Sequence, residues 1–296
     1  MTPQTDDSPR GLAFAVSAYV LWGFMPLYLS TLAHVSPAEI ITHRILWSIP
    51  VAAVVLIATG RTADLGRALR SPRTLGMAGV TALLVAANWG IYVWAVTTGR
   101  ALDAALGYYI NPLFSIALGA LLLGERLATL QRVAVGLAAV AVAVLTIASG
   151  QVPVAALAMT LTWGAYAYFK KRLPIGPNQG FLLEVLLLAP FALAALLWFE
   201  GTERGHLWTG EAWLLLGLGP VTAIPLILYG NGAKLLRLST IAILQYIAPT
   251  MILITAVFWF GEDFDTPRRI AFGLIWLALG LYSASLWRGR GAFTAP

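Results

Sequence analysis

The chain is 296 residues long, 59% hydrophobic and only 11% charged, with a mean hydropathy of +0.80 and a formal net charge of +6. Too few polar groups remain to cover a water-facing surface of that size, so the composition excludes a soluble domain and points to an integral membrane protein. The lack of cysteine excludes disulfides, thiolate metal sites and cysteine nucleophiles, and the basic residues lie in short gaps between apolar runs, which argues against a nucleic-acid-binding face.

In chain order the apolar runs are 11–32, 39–58, 74–96, 102–122, 129–149, 152–170, 180–199, 211–230, 239–259 and 269–287. Each is long enough, or nearly so, to cross a hydrocarbon core of roughly 30 Å as a helix of about 20 residues. The first run is too long for the apolar core of a signal peptide, carries aromatics along its length and precedes no small-residue cleavage site, so it is expected to be retained. Connections are short and leave no room between the runs for an appended soluble domain. The expected fold is all-α and integral to the membrane, with ten transmembrane helices.

The chain also repeats itself. Tyr109-Ile110-Asn111-Pro112 recurs as Tyr246-Ile247-Ala248-Pro249, and at the same offset of 137 residues Gly124-Glu125 recurs as Gly261-Glu262, Arg132 as Arg269 and Gly136 as Gly273. A looser echo links Trp22-Gly23 to Trp163-Gly164. The repeat divides the chain into residues 1–150, carrying helices 1–5, and residues 151–296, carrying helices 6–10. Because five is odd, the second unit enters the bilayer from the opposite side, and inverted repeats of this kind are a carrier's architecture.

Orientation follows from Lys and Arg. With the N-terminus in the cytoplasm, the inner set is Arg10, Arg61, Arg67, Arg70, Arg73, Arg126, Arg132, Lys170, Lys171, Arg172, Lys234, Arg237, Arg288 and Arg290, against Arg100, Arg204, Arg268 and Arg269 outside. Arg44 falls inside a helix. A bias of 14 to 4 places both termini in the cytoplasm.

Several segments carry a family resemblance: Thr42-His43-Arg44-Ile45-Leu46-Trp47, Asn88-Trp89 with Trp94-Ala95-Val96, Leu106-Gly107-Tyr108-Tyr109-Ile110-Asn111-Pro112, Leu123-Gly124-Glu125-Arg126, and Leu236-Arg237-Leu238-Ser239-Thr240 followed by Gln245-Tyr246-Ile247. Together they resemble the RarD group of the EamA-type drug/metabolite transporters, over nearly the whole chain. The resemblance implies a ten-helix permease of the bacterial inner membrane with duplicated EamA halves, exporting a small metabolite or drug-like solute by alternating access. The group's name is tied to chloramphenicol sensitivity.

Polar groups at membrane depth are costly unless they face a cavity or a partner, so they are the candidate site residues. Arg44 lies about five residues into helix 2, roughly 8 Å deep, where it lines a central cavity or snorkels to the surface. His43 points about 100° away from it and reads as a packing histidine. Aligning Pro37 with Pro177 sets Glu184 opposite Arg44 in the repeat, so the two are expected to line opposite halves of one path. Glu184 is then the candidate for proton coupling, with a tie to a neighbouring helix as the competing reading. Asn88 and Tyr92, four residues apart, share a helix face suited to recognising a polar-aromatic molecule, or to bonding another helix. Tyr109, Asn111 and Pro112, with Gln245, Tyr246 and Pro249, sit at mid-membrane on repeat-equivalent helices, where proline frees a carbonyl and bends the helix. Trp22 and Trp163, each beside a glycine, are candidates to close the cavity.

An integral-membrane enzyme acting on a lipid or small molecule is the alternative function. It would need a cluster of catalytic or metal-binding groups, and His34, His43 and His206 are isolated along the sequence. A channel would want rings of like charge or a repeated carbonyl filter, and no phosphate-binding Gly-x-x-x-x-Gly-Lys run supports ATP-driven pumping. No cofactor or metal is expected. The expected partners are a small-molecule substrate, the lipid bilayer, protons as a candidate coupling ion and a second copy of the chain in a homodimer, with no nucleic acid.

Overall fold

The computed structural model describes residues 8–60, 62–123, 127–232, 235–236 and 238–291, and among them there are helices and turns but no strand. The helices are α1 (Pro9–Ser30), α2 (Pro37–Ala58), α3 (Thr62–Leu69), α4 (Pro72–Thr97), α5 (Ala101–Leu123), α6 (Thr129–Ser149), α7 (Val154–Arg172), α8 (Pro177–Gly201), α9 (Ala212–Gly232), α10 (Leu238–Leu244), α11 (Ile247–Ile254), which runs into a π-helical turn at Thr255–Trp259, and α12 (Thr266–Gly291). Four of them begin on proline, which needs no amide donor in the first turn. Ser36 and Ser71 cap α2 and α4 by accepting the backbone N–H of Glu39 and Thr74. Gly150 closes α6 in the left-handed conformation at φ +66°.

Each apolar run of the sequence falls on helix, with two departures. The basic segment after α2 forms the short helix α3, and the ninth run is broken at Gln245-Tyr246 and ends in the π turn. By length and composition, six of the described helices, α1, α2, α4, α6, α8 and α9, are long and apolar enough to cross a membrane.

The radial distribution of polarity is that of a protein in lipid. Ile147, Phe191 and Phe258 are 82%, 75% and 83% exposed, whereas Glu39, Arg44, Asn88 and Glu184 are all within 3% of complete burial. Hydrocarbon accepts the first group and penalises the second, so the polar residues point inward.

Helix contacts are exchanged between the two halves of the chain. α1 packs on α9 and α11 while α7 packs on α4 and α5, and α2 meets α8 as α6 meets α12. Gly23 lets α1 approach Met251, Gly164 lets α7 approach Phe114, and residues 114 and 251 are separated by the repeat offset of 137. Trp22 and Trp163 meet edge to face at 6.4 Å, and the rings of Tyr109 and Tyr246 stack at 6.3 Å. A residue touching its own counterpart is the signature of a self-complementary contact about a two-fold axis. The second Gly-Glu element has a visible role. Gly261 adopts φ +68°, and the Glu262 carboxylate accepts the N–H groups of Ala101 and Leu102 at 2.6 and 3.0 Å, capping α5 from another part of the chain. Its counterpart Gly124-Glu125 lies outside the described residues.

The histidines are not isolated, contrary to their spacing in the sequence. Glu39, fully buried, accepts the His206 backbone N–H at 2.7 Å through Oε1 and meets His206 Nδ1 at 2.9 Å through Oε2; His43 Nε2 lies 3.9 Å from Oε1. His34 packs edge to face on His206 and bonds Glu211. The cluster fastens the connection between α8 and α9 onto the start of α2. Among the described residues no three His, Cys, Asp or Glu side chains are arranged as metal ligands.

Two outcomes follow from these contacts. A Cβ on Gly219 would overlap the carbonyl of Trp47 in α2, which is backbone and cannot swing away. Gly219→Ala is therefore expected to cost about 2 kcal/mol or more, read as a lowered detergent melting temperature, whereas Gly90→Ala, which meets nothing, leaves it unchanged. Glu39→Ala leaves the His206 amide without its acceptor. It should cost about 1–3 kcal/mol and make the 202–211 connection the first site of limited proteolysis.

Candidate functional site

The helices line a central cavity, walled by α1, α2, α4, α5, α7, α9, α11 and the break between α10 and α11. Its walls come in pairs. Trp89 faces it with Leu226, Tyr92 with Tyr229, Tyr108 with Gln245 and Asn111 with Ala248, each pair separated by 137 residues, and Trp22 does so with Trp163. Tyr19, Met25, Arg44, Pro249 and Ile252 complete the wall with no lining counterpart.

Arg44 is held on one side and free on another. α2 carries it into the bundle at 3% exposure, where Nε donates to Thr222 Oγ1 of α9 at 3.0 Å and the guanidinium lies 4.8 Å over the Trp89 ring. Nη1 has no hydrogen-bond partner, and neither has the Tyr92 hydroxyl. The guanidinium does not snorkel, because Thr222 and Trp89 hold it inward.

Aromatic rings form most of the remaining wall. Trp22 contacts Tyr19 at 5.7 Å and Tyr229 at 5.6 Å, and Trp163 contacts Tyr108 at 6.3 Å. Tyr108 in turn contacts Tyr92 at 5.7 Å. Such a wall binds flat apolar surface, while Asn111 and Gln245 add amide donors and acceptors.

Of the residues singled out in the sequence, Trp22, Arg44, Tyr92, Asn111, Trp163, Gln245 and Pro249 line the cavity, and five do not. Asn88 donates to Met159 O and Thr162 Oγ1 of α7, both at 3.0 Å, so it joins helices. The face of α4 that lines the cavity is instead Trp89 with Tyr92, three residues apart, because the helix is rotated one position from the expected face. Tyr109 and Tyr246 stack on one another; Tyr109 Oη bonds Thr250 Oγ1 at 2.6 Å, and its ring packs on Phe272 and Trp276 of α12. They seal α5 to α11 and α12 and do not wall the cavity. Glu184 is fully buried, accepting Lys170 Nζ at 2.7 Å and Tyr166 Oη at 3.3 Å. It ties α8 to α7 and does not face Arg44 across a path.

Pro112 sits away from the cavity in α5, which continues through it. Pro249 occupies the first turn of α11, where a missing N–H is tolerated, and the carbonyl it cannot serve belongs to Gln245, at the break. The two equivalent prolines thus stand in different conformations.

Sequence reasoning missed Tyr19, Met25, Tyr108, Leu226 and Tyr229. For Tyr229 and Leu226 a signal was present, because adding the repeat offset of 137 to Tyr92 and Trp89 lands on them.

Comparison with known proteins agrees with this architecture. The sequence model of the EamA-like transporter family matches the chain twice, over residues 9–147 and 152–284. An uncharacterized transporter of Pseudomonas aeruginosa is 41% identical over 97% of both chains, and a protein RarD of Streptomyces exfoliatus is 40% identical over 93% of this chain and 88% of its own. A solved crystal structure superposes with a TM-score of 0.62 at 21% identity, covering 93% of this chain and 98% of that one, a likeness of fold. With the family matched over both stretches and relatives aligned nearly end to end, the chain belongs to the EamA-like transporter family, as a multi-pass membrane transporter of the RarD type.

Proposed function

We propose that the chain is a carrier of ten membrane-crossing helices, built of two inverted halves, residues 1–150 and 151–296, that moves a small metabolite or drug-like solute through the central cavity by alternating access. The observation that carries this reading is the cavity itself, whose walls are supplied in repeat-equivalent pairs. When halves of opposite topology share one cavity, exchanging their conformations exchanges the side on which it opens. An unbroken α5 opposite a broken α10–α11 supplies such a difference between equivalent helices.

The membrane is the bacterial inner membrane, with both termini in the cytoplasm. The distribution of Lys and Arg supports this orientation, although Arg61, Arg126, Lys234 and Arg237 lie outside the described residues. Trp94, Trp198, Trp213 and Trp259 are exposed and lie near helix ends, where indole rings favour the headgroup layer of either face. A homodimer remains part of the proposal and rests on no contact described above.

Proton coupling is assigned to Glu184. Its pair with Lys170 is buried, and Tyr166, which donates to it, contacts Trp163 in the cavity wall at 5.4 Å. A proton delivered to this carboxylate would release Lys170 and the α7–α8 contact it holds.

Two measurements test the reading. In this cysteine-free chain, Asn111→Cys and Gln245→Cys should react with an aqueous thiol reagent from one side of the membrane at a time, and react more slowly when transported solute is present. If both are inert in every state, the cavity is not a transport path. In proteoliposomes, chloramphenicol counterflow is the first solute assay, run with and without a pH gradient. Glu184→Gln should keep exchange and lose gradient-driven accumulation, and normal accumulation by that variant would remove Glu184 from the coupling role.

A further inference from the structure

The cavity also carries information about its cargo, given the carrier reading above. Arg44 is the only formal charge among the described residues that line it. Elsewhere the partly buried cation Lys170 is matched by Glu184. Among the described residues no carboxylate forms an ion pair with Arg44, and Glu184, its counterpart in the repeat, is committed to Lys170. A guanidinium at membrane depth with a free N–H is costly unless a counter-charge reaches it. The free Nη1 and the free Tyr92 hydroxyl belong to residues of one wall, on helices that meet. Tyr92 and Tyr108 are both within electrostatic reach of the guanidinium. Beyond them lie the rings of Trp22, Trp163 and Tyr229.

We propose that this transporter's substrate is an organic monoanion, a carboxylate on a flat apolar or aromatic body. The carboxylate accepts from Arg44 Nη1 and from the Tyr92 hydroxyl, and the body lies among the aromatic rings. Charge-assisted bonds of this kind are the strong ones, and they supply the partner that Arg44 lacks. An organic cation is rejected, since its charge would meet Arg44 with no carboxylate in the wall to offset the repulsion. A phosphate dianion is matched poorly, because a single guanidinium leaves half its charge uncompensated.

The test uses the full chain in lipid nanodiscs, with the fluorescence of the tryptophans lining the cavity as the signal. Three probes of one shape are titrated at constant chloride: benzoate, neutral benzamide and benzyltrimethylammonium. Benzoate is expected to bind about tenfold or more tightly than benzamide, and the cation more weakly than both. Arg44→Gln should bring benzoate and benzamide within about twofold of each other, whereas Arg44→Lys keeps a preference for the anion. Tyr92→Phe, which preserves shape and is expected to keep the melting temperature, should weaken benzoate by about threefold or more and benzamide hardly at all. The proposal is overturned if benzoate fails to bind at millimolar concentration, if wild-type protein binds benzoate and benzamide equally, if the cation binds best, or if the anion preference survives Arg44→Gln. Labelling of Asn111→Cys separates the two levels of inference. Protection by benzamide or the cation as well as by benzoate would leave a ligand cavity and remove only the charge assignment, whereas a cysteine inert under every condition removes the carrier reading with it.

Discussion

In hydrocarbon a polar group has no water to fall back on, and this constraint orders the bundle. Every inward-facing charge or amide must be met by another part of the protein. Glu39 is met by His206, Asn88 by two acceptors on α7, Thr160 by the Gly107 carbonyl of α5, and Glu184 by Lys170 and Tyr166. These bonds do for the helices what burial of apolar surface does in water, since lipid is as apolar as the side chains it would replace. Gly107, whose position allows close approach to Ala156, accepts one of these bonds, and Gly23, Gly164 and Gly219 bring other helices close. Against that background, Arg44 stands out as the charge whose partners in the protein are incomplete. Arg44 belongs to the cavity wall and not to the lipid-facing surface.

The duplicated sequence explains why the cavity exists at all. Trp22, Trp89, Tyr92, Tyr108 and Asn111 of the first family-matched stretch, residues 9–147, face the cavity. The second stretch, residues 152–284, supplies the rest of the wall, in part from repeat-equivalent positions. The contacts Trp22–Trp163 and Tyr109–Tyr246 mark the axis of that match. Gly23 on Met251 and Gly164 on Phe114 set its spacing. The same contacts account for why equivalent helices pair across the halves and not chiefly within them.

Much of this was legible in the sequence, and the losses have physical causes. Hydrophobic run length located the helices because lipid thickness fixes it, and the repeat gave the pairing of halves. Helix rotation was not legible. On an apolar helix in lipid, the outward face is as hydrophobic as the inward one, so no polar stripe says which side of α4 faces inward, and Asn88 was placed on the cavity face when Trp89 belongs there. Long-range pairing was equally hidden. Nothing in the spacing of His43 and His206 reveals that both meet Glu39, and nothing near Glu184 in the sequence says that Lys170, fourteen residues earlier, claims it. The break at Gln245-Tyr246 was expected from proline, yet proline also stands in unbroken α5, so composition alone does not decide between a bend and a continuous helix.

The pairs that line the cavity have diverged, and the direction of divergence is itself informative. Trp89 corresponds to Leu226, Tyr108 to Gln245 and Asn111 to Ala248, and where the first half has Arg44 the second has Glu184, which lies outside the cavity wall. A cavity with two identical halves would present two equal sites and bind a small ligand in either of two orientations. The cation and the Trp89–Tyr92 face lie on the first half of the chain, and a helix break with an amide lies on the second. In the proposed carrier, a solute with one polar group would be held in one orientation by the first half. The second half, whose broken helix is not closed by a continuous run of backbone bonds, would be the part to rearrange around it.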